Sequence, residues 1–180
     1  VYTVSIIPTG VGAAGYTMPL PEKDQMFMTR GQMLQDIMVS LGGRIAEEII
    51  FKDITTGASS DIKKATKVAR RMVTRFGMSE NIGVICYDDD DDEVFIGRDL
   101  AHAKSHSESV SGEIDREVKS IIDGCYAKAR EIILEKEKVL HSCAQLLLEK
   151  EKIGREEFEA LFASGESTSA YEELNSSVFT

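Results

Sequence analysis

Apolar residues spaced three and four positions apart run through most of this chain, and that period restricts it to a mainly helical fold. The first such stripe extends from Met33 to Ile49 and is typical of one face of an amphipathic helix. Thr29 lies where a helix cap is expected, so the sequence predicts a helix over residues 30–51. A second stripe, ended by Gly77, predicts a helix over residues 60–76.

The carboxyl-terminal half carries the same period. Residues 108–150 keep a helical pattern over a length that exceeds an ordinary globular helix, and the polar residues 135–138 are the expected break. We expect these helices to form a C-terminal helical bundle, followed by a short helix over residues 153–163. Residues 164–180 are rich in Ser, Thr and Glu, which predicts a flexible tail.

A different period opens the chain. Residues 1–8 alternate apolar and polar side chains and are rich in strand formers, and residues 15–18 form a second short run of this kind. The glycines between them predict an antiparallel ribbon. Two further strand-like runs, over residues 82–87 and 93–96, flank five consecutive aspartates. The predicted fold class is therefore mainly α, with a small N-terminal β element.

Charge and composition exclude several classes of protein. With 21 basic and 31 acidic side chains among 180 residues, the chain has a net charge of −10, which argues against nucleic acid as a partner. Three widely spaced cysteines fit neither a disulfide framework nor a four-ligand zinc finger. No apolar run reaches the roughly 18 residues of a membrane span, so we expect the chain itself to be soluble.

Two local patterns resemble metal sites. His102 and His106 are four residues apart, the spacing at which two side chains share a helix face, but the residue after His102 is Ala103 rather than the Glu that a zinc protease uses as its base. The aspartates at 88–92 lack the alternation and the Gly of a calcium-binding loop. Both patterns favour solvated loops.

Asp61 is the better candidate for chemistry. It follows a turn rich in Gly and Ser and stands at the start of the second predicted helix, where free N–H groups and the helix dipole keep a carboxylate ionised. Position alone leaves two interpretations open. The carboxylate either complements the dipole or is aimed at a ligand.

Glu48 lies within the apolar stripe of the first helix, so a helical wheel predicts that it points inward. A buried carboxylate needs a partner, and Arg44, one turn earlier, is the nearest candidate. The alternatives are a structural Arg44–Glu48 pair and a carboxylate that orients a neighbouring metal ligand. Glu47 lies toward the polar flank of the same helix.

The ordered motifs resemble the peptidase domain of FtsH-type ATP-dependent zinc metalloproteases over residues 1–163. Their order and spacing match that family along nearly the whole chain. The matching segments are residues 4–10 (VSIIPTG), 15–17 (GYT), 41–48 (LGGRIAEE), 55–61 (TTGASSD), 69–73 (ARRMV), 76–80 (FGMSE) and 94–98 (VFIGR).

The resemblance implies a membrane-anchored AAA+ protease, with the peptidase domain on the cytoplasmic or organelle-matrix side. An ATPase ring, which binds ATP and magnesium, threads unfolded proteins into a homo-hexameric ring of peptidase domains. Zinc is held in that family by two His of an H-E-x-x-H helix and by an Asp that matches Asp61. Glu47 and Glu48 match its paired acids, which implies a role beside the metal ligands or a structural one for them and for Arg44.

One departure from the family concerns the catalytic helix. In the family, H-E-x-x-H precedes the strand that matches residues 4–8, and this sequence does not contain it. We therefore expect the chain alone to lack the general base and two zinc ligands, and to be inactive. An extended substrate is expected along an exposed strand edge at Val4, Ser5, Ile6 and Ile7. The alternative function is a non-catalytic helical scaffold or interaction module that keeps this fold.

Overall fold

Helices account for most of the described chain. The computed structural model describes residues 1–8, 15–19, 27–87 and 107–163. The predicted mainly α class, with a small β element, is confirmed. The elements are β1 (Thr3–Ser5), β2 (Tyr16–Met18), α1 (Arg30–Phe51), α2 (Ser59–Thr74), α3 (Glu108–Glu135), α4 (Glu137–Lys150), β3 (Lys152–Gly154) and α5 (155–163).

Helix α1 begins at a complete capping box. The Thr29 hydroxyl accepts a hydrogen bond from the Gln32 N–H at 3.2 Å, and the Gln32 side chain accepts one from the Thr29 N–H at 2.7 Å. The helix ends before Lys52, whose φ of 51° lies in the left-handed region. The predicted bounds of this helix, residues 30–51, are confirmed.

Helices α1 and α2 pack on each other through their apolar stripes. Ile37 and Ile45 of α1 are fully buried, as are Ala69 and Met72 of α2. Helix α2 ends near Gly77, whose φ is 56° and where an added Cβ would lie 3.0 Å from the Val84 Cα. Burial of these side chains holds the two helices together.

Helix α3 contacts α1 and the turn that follows α2. The Cys125 thiol lies 3.7 Å from the Leu34 carbonyl oxygen, and the Ser79 hydroxyl donates to Glu117 at 2.7 Å. The predicted break between α3 and α4 is confirmed and is confined to Lys136. The strand predicted over residues 82–87 is wrong, because this segment forms turns and irregular backbone.

Three short strands form one antiparallel sheet with the order β2-β1-β3. The predicted ribbon of β1 and β2 is confirmed, with Val4 opposite Thr17. Strand β3 was not predicted. Ile153, expected in the last helix, lies opposite Val4 on the other side of β1 and is fully buried, so α5 begins two residues later.

The chain divides into two compact units. One comprises residues 27–132 and contains α1, α2 and most of α3, and the other comprises residues 1–26 with 133–180 and contains the sheet. Among the described residues, no helix combines the length and hydropathy that a membrane crossing requires. The predicted strand at 93–96 and the predicted tail at 164–180 lie outside the described residues.

Candidate metal-ligand site at the start of α2

Asp61 is the third residue of α2 and is exposed to solvent. Its carboxylate forms no hydrogen bond or ion pair with any residue in the described part of the chain. It therefore does not act as a side-chain cap for its own helix. Its carboxylate oxygens are accessible at the start of the helix, which makes Asp61 a candidate metal ligand.

The turn that leads into α2 is held by α1. All three polar groups of Thr55 bind side chains of that helix: its N–H donates to Glu47 Oε2 at 3.2 Å and its hydroxyl donates to Glu47 Oε1 at 2.8 Å. Its carbonyl oxygen accepts from Arg44 Nη1 at 2.8 Å. We call this set of bonds the Thr55 brace. It ties the residue before the turn to the last two turns of α1.

The Thr55 hydroxyl also starts the short 3₁₀ helix Thr56–Ala58, which runs directly into α2. It accepts a hydrogen bond from the Gly57 N–H at 3.1 Å, the geometry of a helix N-cap. A Cβ on Gly57 would lie 3.2 Å from the Thr55 hydroxyl and 3.6 Å from Glu47 Oε1. Glycine thus lets the backbone approach the brace, and the brace sets the direction in which α2 and Asp61 begin.

Glu47 is ionised in this arrangement. The hydroxyl of Thr55 is the main cause that lowers the pKa of the Glu47 carboxyl, and the Thr55 N–H lowers it further. Arg44 adds a favourable charge from 3.9 Å. The carboxylate accepts two hydrogen bonds only while it is deprotonated, so the brace depends on its charge.

The inward orientation predicted for Glu48 is wrong. Glu48 is exposed and accepts a hydrogen bond from the hydroxyl of Tyr126 on α3, while Arg44 pairs with Glu47. Burial is the main cause that raises the pKa of Tyr126, and the Glu48 carboxylate adds to it. The wheel also placed Glu47 toward solvent, whereas the turn at Thr55 folds back onto it.

The expectation of a free substrate edge at β1 is also wrong. β1 is the central strand, with Val4 opposite Thr17 on one side and Ile153 on the other. Beyond the paired residues, the Ile6 N–H donates to the Glu151 carbonyl at 2.9 Å and the Ile7 N–H donates to the Ser5 hydroxyl at 3.1 Å. These backbone donors are satisfied within the chain, so β1 cannot accept an added strand.

The described residues do not form a complete metal centre. Within residues 1–8, 15–19, 27–87 and 107–163, no three His, Cys, Asp or Glu side chains come together to hold an ion. His102, His106 and the aspartates at 88–92 lie outside that part of the chain. A catalytic zinc needs three protein ligands and one open position, so Asp61 fits as one donor among several.

A separate cleft of about 420 Å³ lies between α1, α3 and the turn after α2, and Asp61 does not line it. On its wall, Glu117 accepts hydrogen bonds from Ser79 and Asn81, and Arg30 donates to the Met78 carbonyl at 3.3 Å. Sequence reasoning missed this cluster, since its residues are polar and far apart along the chain. These bonds join the turn to both helices.

Comparison with known proteins shows the family to which the chain belongs. The model of a protein family described as peptidase family M41 matches residues 1–161. The chain belongs to peptidase family M41. The match spans both units and every motif that carries the resemblance to FtsH-type peptidases, and that resemblance is confirmed.

Several curated relatives share a name. Proteins called ATP-dependent zinc metalloprotease FtsH are 51% identical over 161 residues in Caldicellulosiruptor bescii and 50% identical over 159 residues in Ruminiclostridium cellulolyticum. The one from Thermotoga maritima is 42% identical over 163 residues. These alignments cover 89%, 88% and 91% of the chain but only 26%, 26% and 27% of the relatives. The chain thus spans about a quarter of their length.

Proposed function

We propose that this chain is the peptidase domain of an ATP-dependent zinc metalloprotease and that Asp61 is one of its zinc ligands. The observation that carries the proposal is an accessible carboxylate with no partner in the described chain, fixed at a helix start in a member of family M41. The relatives are named zinc metalloproteases. We extend the domain over residues 1–163.

The Thr55 brace holds the turn that leads to Asp61. Glu47 and Arg44 hold the turn, and the turn sets where α2 starts, so we assign both residues a positioning role toward Asp61. Glu48 fastens α1 to α3 through Tyr126. These contacts act on the backbone that leads to Asp61, since its carboxylate has no hydrogen-bond partner in the described part of the chain.

Zinc, when bound, supplies Lewis-acid chemistry by polarising a carbonyl and lowering the pKa of a water molecule. The chain's own contribution is an oxygen ligand at the start of α2. His102, His106 and His141 are followed by Ala or Ser, so none of them begins an H-E-x-x-H sequence. We therefore propose that the 180 residues alone do not cleave peptides, and that the remaining ligands and the general base belong to other parts of the whole protein.

For the whole protein we propose unfolded polypeptides as substrates. The outer edge of β2 is the better candidate for an extended substrate, since β2 is an edge strand in a sheet whose central strand is fully paired. The remaining proposals rest on the family resemblance: an ATPase portion that binds ATP and magnesium, a homo-hexamer, and membrane helices that hold the peptidase domain on the cytoplasmic or matrix side.

The test uses the whole protein and unfolded casein, with ATP and zinc present. We expect Asp61→Ala to abolish cleavage and leave ATP hydrolysis in place. Asp36→Ala, which removes an exposed carboxylate of α1, is the matched control and should keep full activity. Undiminished cleavage by Asp61→Ala would refute the ligand assignment. A whole protein that neither binds zinc nor cleaves casein would support the scaffold function instead.

A further inference from the structure

The outward side of α2 carries a concentration of positive charge in an acidic protein. Residues 59–75 contain six basic side chains and one acidic one, a local net charge of +5 in a chain whose total is −10. The rest of the chain therefore has a net charge of −15. The basic side chains are Lys63, Lys64, Lys67, Arg70, Arg71 and Arg75.

Helical spacing gathers these cations on one face. Lys63, Lys67 and Arg70 follow one another at four and three residues, so they form a row along the helix. Lys64 and Arg71 are seven residues apart and form a second row beside it. All of these side chains are exposed, and the opposite side of the helix is buried against α1. We call this surface the α2 basic face.

Most of this charge has no acidic partner among the described residues. Lys63, Lys64 and Lys67 form no hydrogen bond or ion pair with any residue in the described part of the chain. Arg70 is paired with Asp115 at 2.7 Å, and the Arg71 guanidinium lies 5.4 Å from the ring centroid of Phe76. Like charges one turn apart destabilise a helix, so the face costs stability until an anion binds there.

We propose that the α2 basic face binds an acidic stretch of the substrate polypeptide, an inference that rests on the proposed function. Asp61 lies on the first turn of the same helix, and Lys64 is its neighbour one turn later. A segment that lies along the face therefore passes the metal ligand. The 16 residues of α2 extend about 24 Å, the length of about seven extended residues.

A polypeptide fits this surface better than other anions. The exposed large apolar side chains beside the face are Ile62 and Phe76, and the Phe76 ring lies against Arg71, so few groups are available to insert into a bilayer or stack on bases. A long nucleic acid or a flat anionic membrane would also extend beyond α2 toward a chain whose remaining residues sum to a net charge of −15. A short acidic segment contacts the helix and little else.

Binding to the 180-residue chain tests this without zinc or catalysis. The probe is a fluorescein-labelled 12-residue peptide with alternating Glu and Ser, and its fluorescence anisotropy is measured at low and physiological salt. The variant is the triple substitution Lys63→Gln, Lys64→Gln and Lys67→Gln. The matched control is Lys119→Gln, Lys128→Gln and Lys138→Gln, which changes the net charge equally on other exposed lysines.

We expect the α2 triple variant to weaken binding about five- to tenfold and to reduce its salt dependence, while the control stays within about twofold. Equal weakening by both triples, or no binding of the Glu peptide by the original chain, would overturn the proposal. A control peptide in which every Glu is replaced by Gln should not bind. Tighter binding of a 12-nucleotide single-stranded RNA or of phosphatidylglycerol vesicles would also overturn it, because another class of partner would then be favoured.

Failure of this inference is distinguishable from failure of the proposed function. In the whole protein, the α2 triple variant should raise the KM for casein that carries an acidic segment and leave kcat unchanged, since it alters substrate capture alone. Asp61→Ala should leave peptide binding intact while zinc is lost. Retained zinc with unchanged KM in the triple variant would overturn the basic-face proposal and leave the ligand assignment standing.

Discussion

The packing of α1 on α2 determines where Asp61 lies, and Ile45→Ala tests that packing. Ile45 is fully buried, and the substitution removes three carbon atoms. At about 0.8 kcal/mol per buried methylene, the lost transfer free energy is about 2.4 kcal/mol. The residual cavity adds to this, so the total should be about 3 to 4 kcal/mol. Ile45→Val, which removes one carbon, should cost about 1 kcal/mol.

Urea unfolding followed by circular dichroism at 222 nm measures the loss. With a denaturant slope of about 2 kcal/mol per molar, Ile45→Ala should lower the midpoint by about 1.5 to 2 M. The matched control is Val39→Ala, on the same helix at a side chain that is 79% exposed, which should change the free energy of unfolding by less than about 0.5 kcal/mol. Equal losses at Ile45 and Val39 would refute the placement of the α1 stripe.

Three further predictions concern the site and its surroundings. Hydrogen bonds from Asn81 and Ser79 lower the pKa of Glu117 in the folded state. The stability that Glu117 contributes is therefore present above the unfolded pKa of about 4.3 and is lost as the pH falls through the folded pKa. The difference in unfolding free energy between the original chain and Glu117→Gln should shrink as the pH falls below about 4.3, and a difference that stays constant would contradict the assignment. Thr55→Val removes the hydroxyl that binds Glu47 and Gly57, so hydrogen exchange of the Gly57 amide, measured by NMR, should accelerate. In the control Thr66→Val, the hydroxyl that is removed bonds only within its own helix, so exchange of the Gly57 amide should not change. Burial raises the pKa of the Cys125 thiol, whereas Cys86 is exposed, so a thiol reagent at pH 8 should modify Cys86 first. The variant Cys86→Ser allows the modification rate of Cys125 to be measured separately, and a Cys125 that reacts faster than Cys86 would contradict its burial.

The helices were predictable because their signal is local. The α1 stripe and the cap at Thr29 lie within one continuous segment, and the structure gives the same bounds, Arg30–Phe51. The N-terminal ribbon was predictable for the same reason, since a short connection joins its two strands. Apolar period and cap chemistry are both properties of neighbours in sequence.

Long-range pairing explains what the sequence did not predict. β3 has three residues, and Ile153 becomes part of a strand only because it meets Val4, which is 149 positions away. Its local pattern continues into a helix, so period alone assigned it to α5. Because β3 was not predicted, β1 was expected to have one partner strand rather than two, and the predicted substrate edge was wrong for that reason.

The candidate site was partly predictable. Asp61 was identified by its position after a turn and by the family resemblance, and the structure adds that it has no partner in the described chain. The Thr55 brace was missed, and Glu47 was assigned to the polar flank. A helical wheel treats a helix as isolated, and it has no means to represent a turn that folds back and brings Thr55 onto that flank.

Zinc X-ray absorption on the whole protein tests the central claim most directly. The account predicts that one oxygen ligand at about 2.0 to 2.2 Å comes from Asp61. Asp61→Ala should therefore change the zinc coordination and reduce the zinc content per chain, while Asp36→Ala retains both. A zinc spectrum and zinc content that are identical in Asp61→Ala and the original protein would contradict the account.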